Sequence, residues 1–185
     1  MEREEAIVDL MERFGTDVLH LAYSYVRNRQ TAEDLAQEIF LKCYQKFDTF
    51  EGNSQIQTWL YRIASNHCKD YLKSWHHRRV LVTDYISAKL AGHHDGPESQ
   101  LVRNTDNKEL IEAMFKLPVK YREVIFLFYY QELSQKEIAE VCGLNLSTLK
   151  SRLTRAKVLL KEILQERGVG FGGAVEETES RNVEG

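Results

Sequence analysis

Proline occurs only twice in 185 residues, which argues against a proline-rich, disordered chain. Cysteine is almost as scarce. Cys43, Cys68 and Cys142 are odd in number and show no CxxC spacing, which excludes a disulfide framework and a zinc ribbon. They read as buried thiols of a reducing compartment. No apolar run approaches the ~20 residues of a membrane-spanning helix, and the acidic start MEREEAIVDL lacks the basic-then-apolar order of a signal peptide. A cytoplasmic location without membrane insertion is therefore expected. Internal repeats and low-complexity tracts are missing too.

What is present is an apolar content of 43%, enough for one core or two small ones. The net charge of −3 conceals a strong segmentation. Residues 1–61 carry 6 bases and 11 acids, whereas residues 62–80 carry 5 and 1. Residues 81–145 hold 7 bases and 10 acids, 146–168 hold 6 and 2, and 169–185 hold 1 and 4. Two islands of net +4 thus interrupt an acidic remainder, a pattern that favours two small domains and a polyanionic partner able to meet both.

Apolar residues recur at spacings of three and four along most of the chain, which predicts an all-α fold. Ile7, Leu10, Met11, Phe14, Val18, Leu21, Ala22 and Tyr25 draw one stripe along a helix or a helix pair near Gly15. A second helix is expected to be capped by Thr31 with Asp34 reaching back, burying Leu35, Ile39, Cys43 and Phe47. After the loop DTFEGNS a third runs from about Gln55 to Trp75, with Leu60, Ile63, Ala64, Tyr71 and Trp75 inward. Periodicity then fades through AGHHDGPESQ, the expected flexible linker. It resumes in a helix containing Leu110, Ile111, Met114 and Phe115, and in another that opens at Pro118 with Tyr121, Val124, Ile125 and Phe128 on its apolar side. The run VIFLFYY has strand propensity, but its helical surroundings argue against a strand. The predicted organisation is a domain at 1–80, a linker at 81–106, a second domain at 107–168 and an acidic, disordered tail at 169–185.

The second domain carries a helix-turn-helix pattern. Ser134 and Glu137 form a capping box, Ile138, Ala139 and Cys142 face inward, Gly143 permits the turn, and a new helix begins near Leu146. Leu146, Leu149, Leu153, Ala156 and Leu160 hold that helix to its domain, which leaves Ser147, Thr148, Lys150, Ser151, Arg152 and Arg155 outside. Short hydroxyls near a helix start with long cations beside them suit a helix laid in the major groove. A solvated amphipathic helix would show the cations alone; cap, glycine turn and second helix together favour DNA reading.

In the first domain Arg62, Asn66, Lys69, Asp70 and Lys73 fall on one helical stripe, with Trp59 at its edge and Tyr71 and Trp75 nearby. Cations for backbone, amide and carboxylate for base edges, and an aromatic for stacking suit a captured strand as well as duplex DNA; Tyr71 and Trp75 fit core positions better. One helix earlier, Asp34, Gln37, Glu38 and Leu41 form a compact patch. Its paired carboxylates raise a hydrolytic reading, but no Glu-x-x-His companion, nucleophile or metal constellation accompanies them. The adjacent pairs His76/His77 and His93/His94 point to different sides of a helix, so no metal, cofactor or catalytic residue is expected.

The blocks DLAQEIFLKCYQKFDTFEGNSQIQTWLYRIASNHCKDYLK and LPVKYREVIFLFYYQELSQKEIAEVCGLNLSTLKSRLTRAKVLL resemble, in this order, those of bacterial extracytoplasmic-function sigma factors of the sigma-70 family. The resemblance implies that Asp34, Gln37 and Glu38 grip the clamp helices of the RNA polymerase β′ subunit. It implies that the loop from Phe50 to Gln57, with Thr58, Trp59 and Leu60, captures an unstacked base of the minus-10 strand, and that Asn66 and Asp70 read that element. Thr148, Leu149, Lys150, Ser151 and Arg152 match the minus-35 reader, and the apolar surface of the second domain would seat the β flap. Tyr71 and Lys73 stand where the family often has arginines, and Asn145 and Ser147 replace its common proline and glycine. Implied partners are core polymerase, duplex and melted promoter DNA, and a membrane-associated anti-sigma factor. The competing reading is a stand-alone helix-turn-helix regulator, which has no use for a basic stripe beside a tryptophan-bearing loop.

Overall fold

A computed structural model describes residues 3–50, 52, 55–83 and 105–166, with side chains described outside 76–83 and 105–108. The described residues form helices and turns, without a strand. Chain contacts divide the protein into two compact units, Met1–Pro97 and Glu98–Gly185. The expected linker lies mostly outside the described residues, as does the acidic tail. The bordering helices reach further than predicted, α3 to Thr83 and α4 from Thr105.

The first unit is built from α1 (Arg3–Val26), α2 (Arg29–Lys46), a single 3-10 turn (Phe47–Thr49) and α3 (Ile56–Thr83), with each α-helix packed on the other two. α1 runs unbroken through Gly15, so its stripe belongs to one helix. Ala6, Ile7, Leu10, Val18, Leu21, Ala22 and Tyr25 are buried, but Met11 points outward. Leu35, Ile39 and Cys43 come in from α2, and Leu60, Tyr61, Ala64 and Cys68 from α3. Each fully buried aliphatic or aromatic side chain contributes about 1.5–3 kcal/mol. One pair of buried hydroxyls meets across the core, Tyr25 Oη and Ser65 Oγ at 2.8 Å. Burial pushes the Cys43 thiol up to about 12, with the Lys46 charge opposing.

Two local expectations for this unit are corrected. α2 begins two residues before Thr31, because Asn28 has the extended backbone of a cap and its side chain accepts from the Thr31 amide at 2.9 Å. Asp34 is therefore free of capping; Gln30 Nε2 donates to it from one turn earlier at 3.2 Å. Trp75, expected inward, is 40% exposed, since the far end of α3 outruns the helices that cover it.

The second unit comprises α4 (Thr105–Lys116), α5 (Val119–Ile125), a π-helical turn (Phe126–Tyr130), α6 (Gln135–Cys142) and α7 (Leu146–Glu166), with α4, α5 and α6 all packed on α7. Pro118 opens α5. The VIFLFYY run is helical, and its last part widens to a bond from the Gln131 amide to the Phe126 carbonyl at 3.2 Å. That turn stacks Phe126 on Tyr130 with ring centres 4.8 Å apart. Arg122 is buried, and its Nη2 donates to the carbonyls of Phe115 and Leu117, which satisfies the C-terminal end of α4. No described helix is long and apolar enough to cross a membrane.

Candidate functional site

The turn between α6 and α7 is held by reciprocal local bonds. Ser134 Oγ accepts from the Glu137 amide at 3.3 Å and Glu137 Oε2 accepts from the Ser134 amide at 2.8 Å, forming the predicted capping box. Gly143 adopts φ +66°, and the amides of Gly143 and Leu144 reach back to the carbonyls of Glu140 and Ala139 at 3.2 and 2.8 Å. Asn145 then caps α7, its Oδ1 accepting from the Thr148 amide at 2.7 Å. Asparagine thus starts this helix well in place of the proline common at that position in the family.

Leu149, Leu153, Ala156 and Leu160 are buried along one side of α7, joined by Leu164. Ser147, Thr148, Lys150, Ser151 and Arg155 are exposed on the other and Arg152 is half-buried. Leu146, expected to hold the helix to its domain, is instead on the exposed side. Cys142 is half-buried rather than core. Lys157 is occupied elsewhere, lying over the rings of Phe128 and Tyr129 at 5.0 and 5.7 Å. The outward face of the first three turns therefore presents hydroxyls and cations without an acid.

On α3 the stripe points outward as a set. Arg62, Asn66, Asp70 and Lys73 are exposed and Lys69 is half-buried. Asp70 lies 3.8 Å from Lys73, both at the surface, where such a pair is weak. Trp59 departs from the expectation of a stacking platform: its indole is 2% exposed and packs against Phe47 and Phe50, with ring centres at 6.4 and 5.6 Å. Its position on the edge of the stripe turns the ring toward the core side, so it supports the start of the loop and offers no face to a base. Thr58, next to it, is buried with Oγ1 lacking a hydrogen-bond partner.

Asp34, Gln37, Glu38 and Leu41 form a continuous exposed strip on α2, with Leu41 58% exposed although apolar. One residue absent from the sequence expectation joins this strip. His67 of α3 is almost covered, and its Nε2 lies 2.7 Å from Glu38 Oε2 while Nδ1 lies 2.7 Å from Lys42 Nζ. The only sequence trace of this bridge was the four-residue spacing of Glu38 and Lys42 on α2.

Comparison with known proteins agrees with this geometry. Residues 10–79 match the family model Sigma-70 region 2, and residues 107–160 match Sigma-70, region 4. The chain is 33% identical over 175 residues to the ECF RNA polymerase sigma factor SigW of Bacillus subtilis, covering 88% of this chain and 91% of SigW. It is 32% identical over 166 residues to the RNA polymerase sigma factor YlaC of the same species, covering 88% and 94%. Among solved structures, the sigma factor RpoE of Bartonella quintana, crystallised with the anti-sigma factor NepR, superposes with a TM-score of 0.66 at 26% identity, covering 85% of this chain and 97% of RpoE. Two sigma-70 regions in order exclude a stand-alone regulator as the better description. The chain belongs to the extracytoplasmic-function sigma factors of the sigma-70 family, which direct RNA polymerase to promoters.

Proposed function

We propose that three faces divide the work of initiation. The α2 strip of Asp34, Gln37, Glu38 and Leu41 docks on the β′ clamp helices of core polymerase. The α3 stripe of Arg62, Asn66, Lys69, Asp70 and Lys73 reads the melted minus-10 strand, with Trp59 supporting the capture loop from inside. The α7 face of Ser147, Thr148, Lys150, Ser151, Arg152 and Arg155 reads the minus-35 duplex, while the β flap seats on the same domain. The functional domains are 1–80 and 107–168, joined by 81–106. The protein acts by binding, in the cytoplasm, and is restrained by an anti-sigma factor, as RpoE of Bartonella quintana is bound by NepR.

The observation that carries this reading is the separation of sign. The α2 strip is acidic and apolar, whereas the exposed faces of α3 and α7 are predominantly cationic. A surface bearing Asp34 and Glu38 repels phosphate and fits a protein partner, and cations beside amides and hydroxyls fit nucleic acid. Tethering two weak readers raises the effective concentration of each at its own element.

Run-off transcription with core polymerase on a promoter library tests the proposal, together with core pull-down. Asp34→Lys with Glu38→Lys should abolish core binding while the protein stays helical. Unchanged core binding would remove the α2 assignment.

A further inference from the structure

Glu38 sits in a chain of charge-assisted hydrogen bonds that reaches from the surface of α2 to the nearly buried face of α3. The His67 side chain is 10% exposed and the Glu38 side chain 59%. Lysine can only donate, so the 2.7 Å approach of Lys42 Nζ makes Nδ1 of His67 the acceptor. The ring proton then resides on Nε2, which donates to Glu38 Oε2 at 2.7 Å. Lys42 thereby selects the tautomer, and His67 anchors one carboxylate oxygen from below. The Glu38 side chain as a whole stays more than half exposed, on the strip it shares with Leu41 and Gln37.

We propose that His67 is a positioning residue for polymerase binding, holding the Glu38 carboxylate in the orientation that the polymerase meets, with Lys42 setting the imidazole's tautomer. The inference rests on the α2 strip being the core-binding surface. A glutamate free at a helix surface loses rotamer freedom when a partner immobilises it, and one already held by a covered imidazole loses less. Asp34 is held in a comparable manner, but from its own helix, by Gln30. Glu38 differs because its support comes from the helix that carries the minus-10 stripe, one residue from Asn66.

The test titrates the labelled full-length chain with core RNA polymerase and melts each variant thermally. Glu38→Ala should weaken binding. His67→Leu should weaken it by about three- to tenfold, and by less than about twofold when Glu38 is already Ala, since the partners are coupled. His67→Gln, whose amide can accept from Lys42 and donate to Glu38, should stay within about twofold of the parent. Equal losses from His67→Leu with and without Glu38 would make His67 a general core residue and overturn the proposal. Should His67→Leu fail to fold, Lys42→Met keeps the ring in place and must itself weaken binding only while Glu38 is present; no such loss overturns the proposal as well. If Glu38→Ala alone leaves binding unchanged, the α2 docking surface is wrong. If Glu38→Ala weakens binding and His67→Leu does not, docking stands and positioning falls.

Discussion

α3 and α7 carry a similar excess of positive charge, yet they present it differently. α7 begins at an asparagine cap and, beside the exposed Leu146, shows hydroxyls and cations over its first turns, its first acid being Glu162. α3 begins with the buried Trp59 packed against the half-buried Phe47 and Phe50 and sets Asp70 beside Lys73 within its stripe. A uniform row of cations suits the regular phosphates of a duplex, whereas cations broken by an amide and a carboxylate suit a strand whose base edges are open. On the proposed assignment, net charge selects the polymer that each helix meets, and the arrangement around the charge selects its form.

The strongest way to break the comparison is to remove its aromatic support. Trp59→Ala should destabilise the first unit by about 3–5 kcal/mol, as expected for truncating a buried large aromatic. Hydrogen exchange of the full chain should show lost protection in α1 to α3 with α4 to α7 unaffected. If Trp59 served only as an exposed platform, stability would not change. Next in size, Gly143→Ala should cost about 1–2 kcal/mol, because φ is +66° while a Cβ there meets nothing within 4 Å. Thermal melting should show Gly143→Asn to be milder, which separates backbone strain from crowding.

Salt dependence sharpens the contrast between the two readers. On duplex minus-35 DNA, Lys150→Ala and Arg152→Ala should each lower the slope of log affinity against log salt by about 0.9. Asn66→Ala should leave that slope unaltered and instead reduce preference for a single-stranded minus-10 oligonucleotide. The smallest expected effect belongs to Asp70→Asn. It should change stability by less than about 0.5 kcal/mol, since the pair with Lys73 is exposed, while reducing the preference for minus-10 over unrelated DNA in filter binding. A gain of affinity that is equal for DNA of any sequence would instead remove Asp70 from the base readers.

Most of the fold was legible because helical spacing reports which side of an element is apolar. The capping box, the glycine turn and the buried run of α7 follow from single residues whose local chemistry admits few alternatives. Spacing does not report how far a neighbouring element extends. Met11, Trp75 and Leu146 continue their apolar stripes in the sequence, yet all three are exposed in the fold. Trp59 erred in the opposite sense, since a residue at the margin of a stripe can turn either way and an indole gains most when buried. Arg122 and His67 were illegible for a common reason. Each is a polar group on a covered face whose partners lie on another helix, and no one-dimensional period encodes that meeting.

The thiol of Cys43 has a consequence for signalling. It is wholly covered, and burial pushes its pKa up to about 12. At neutral pH it is therefore held as the thiol and not as the thiolate that attacks peroxides and disulfides. Cys68 is equally enclosed. The folded first unit thus keeps these two thiols chemically silent, and an oxidant can address them only after α1, α2 and α3 have come apart. In the native state neither thiol can therefore serve as a direct sensor of oxidants.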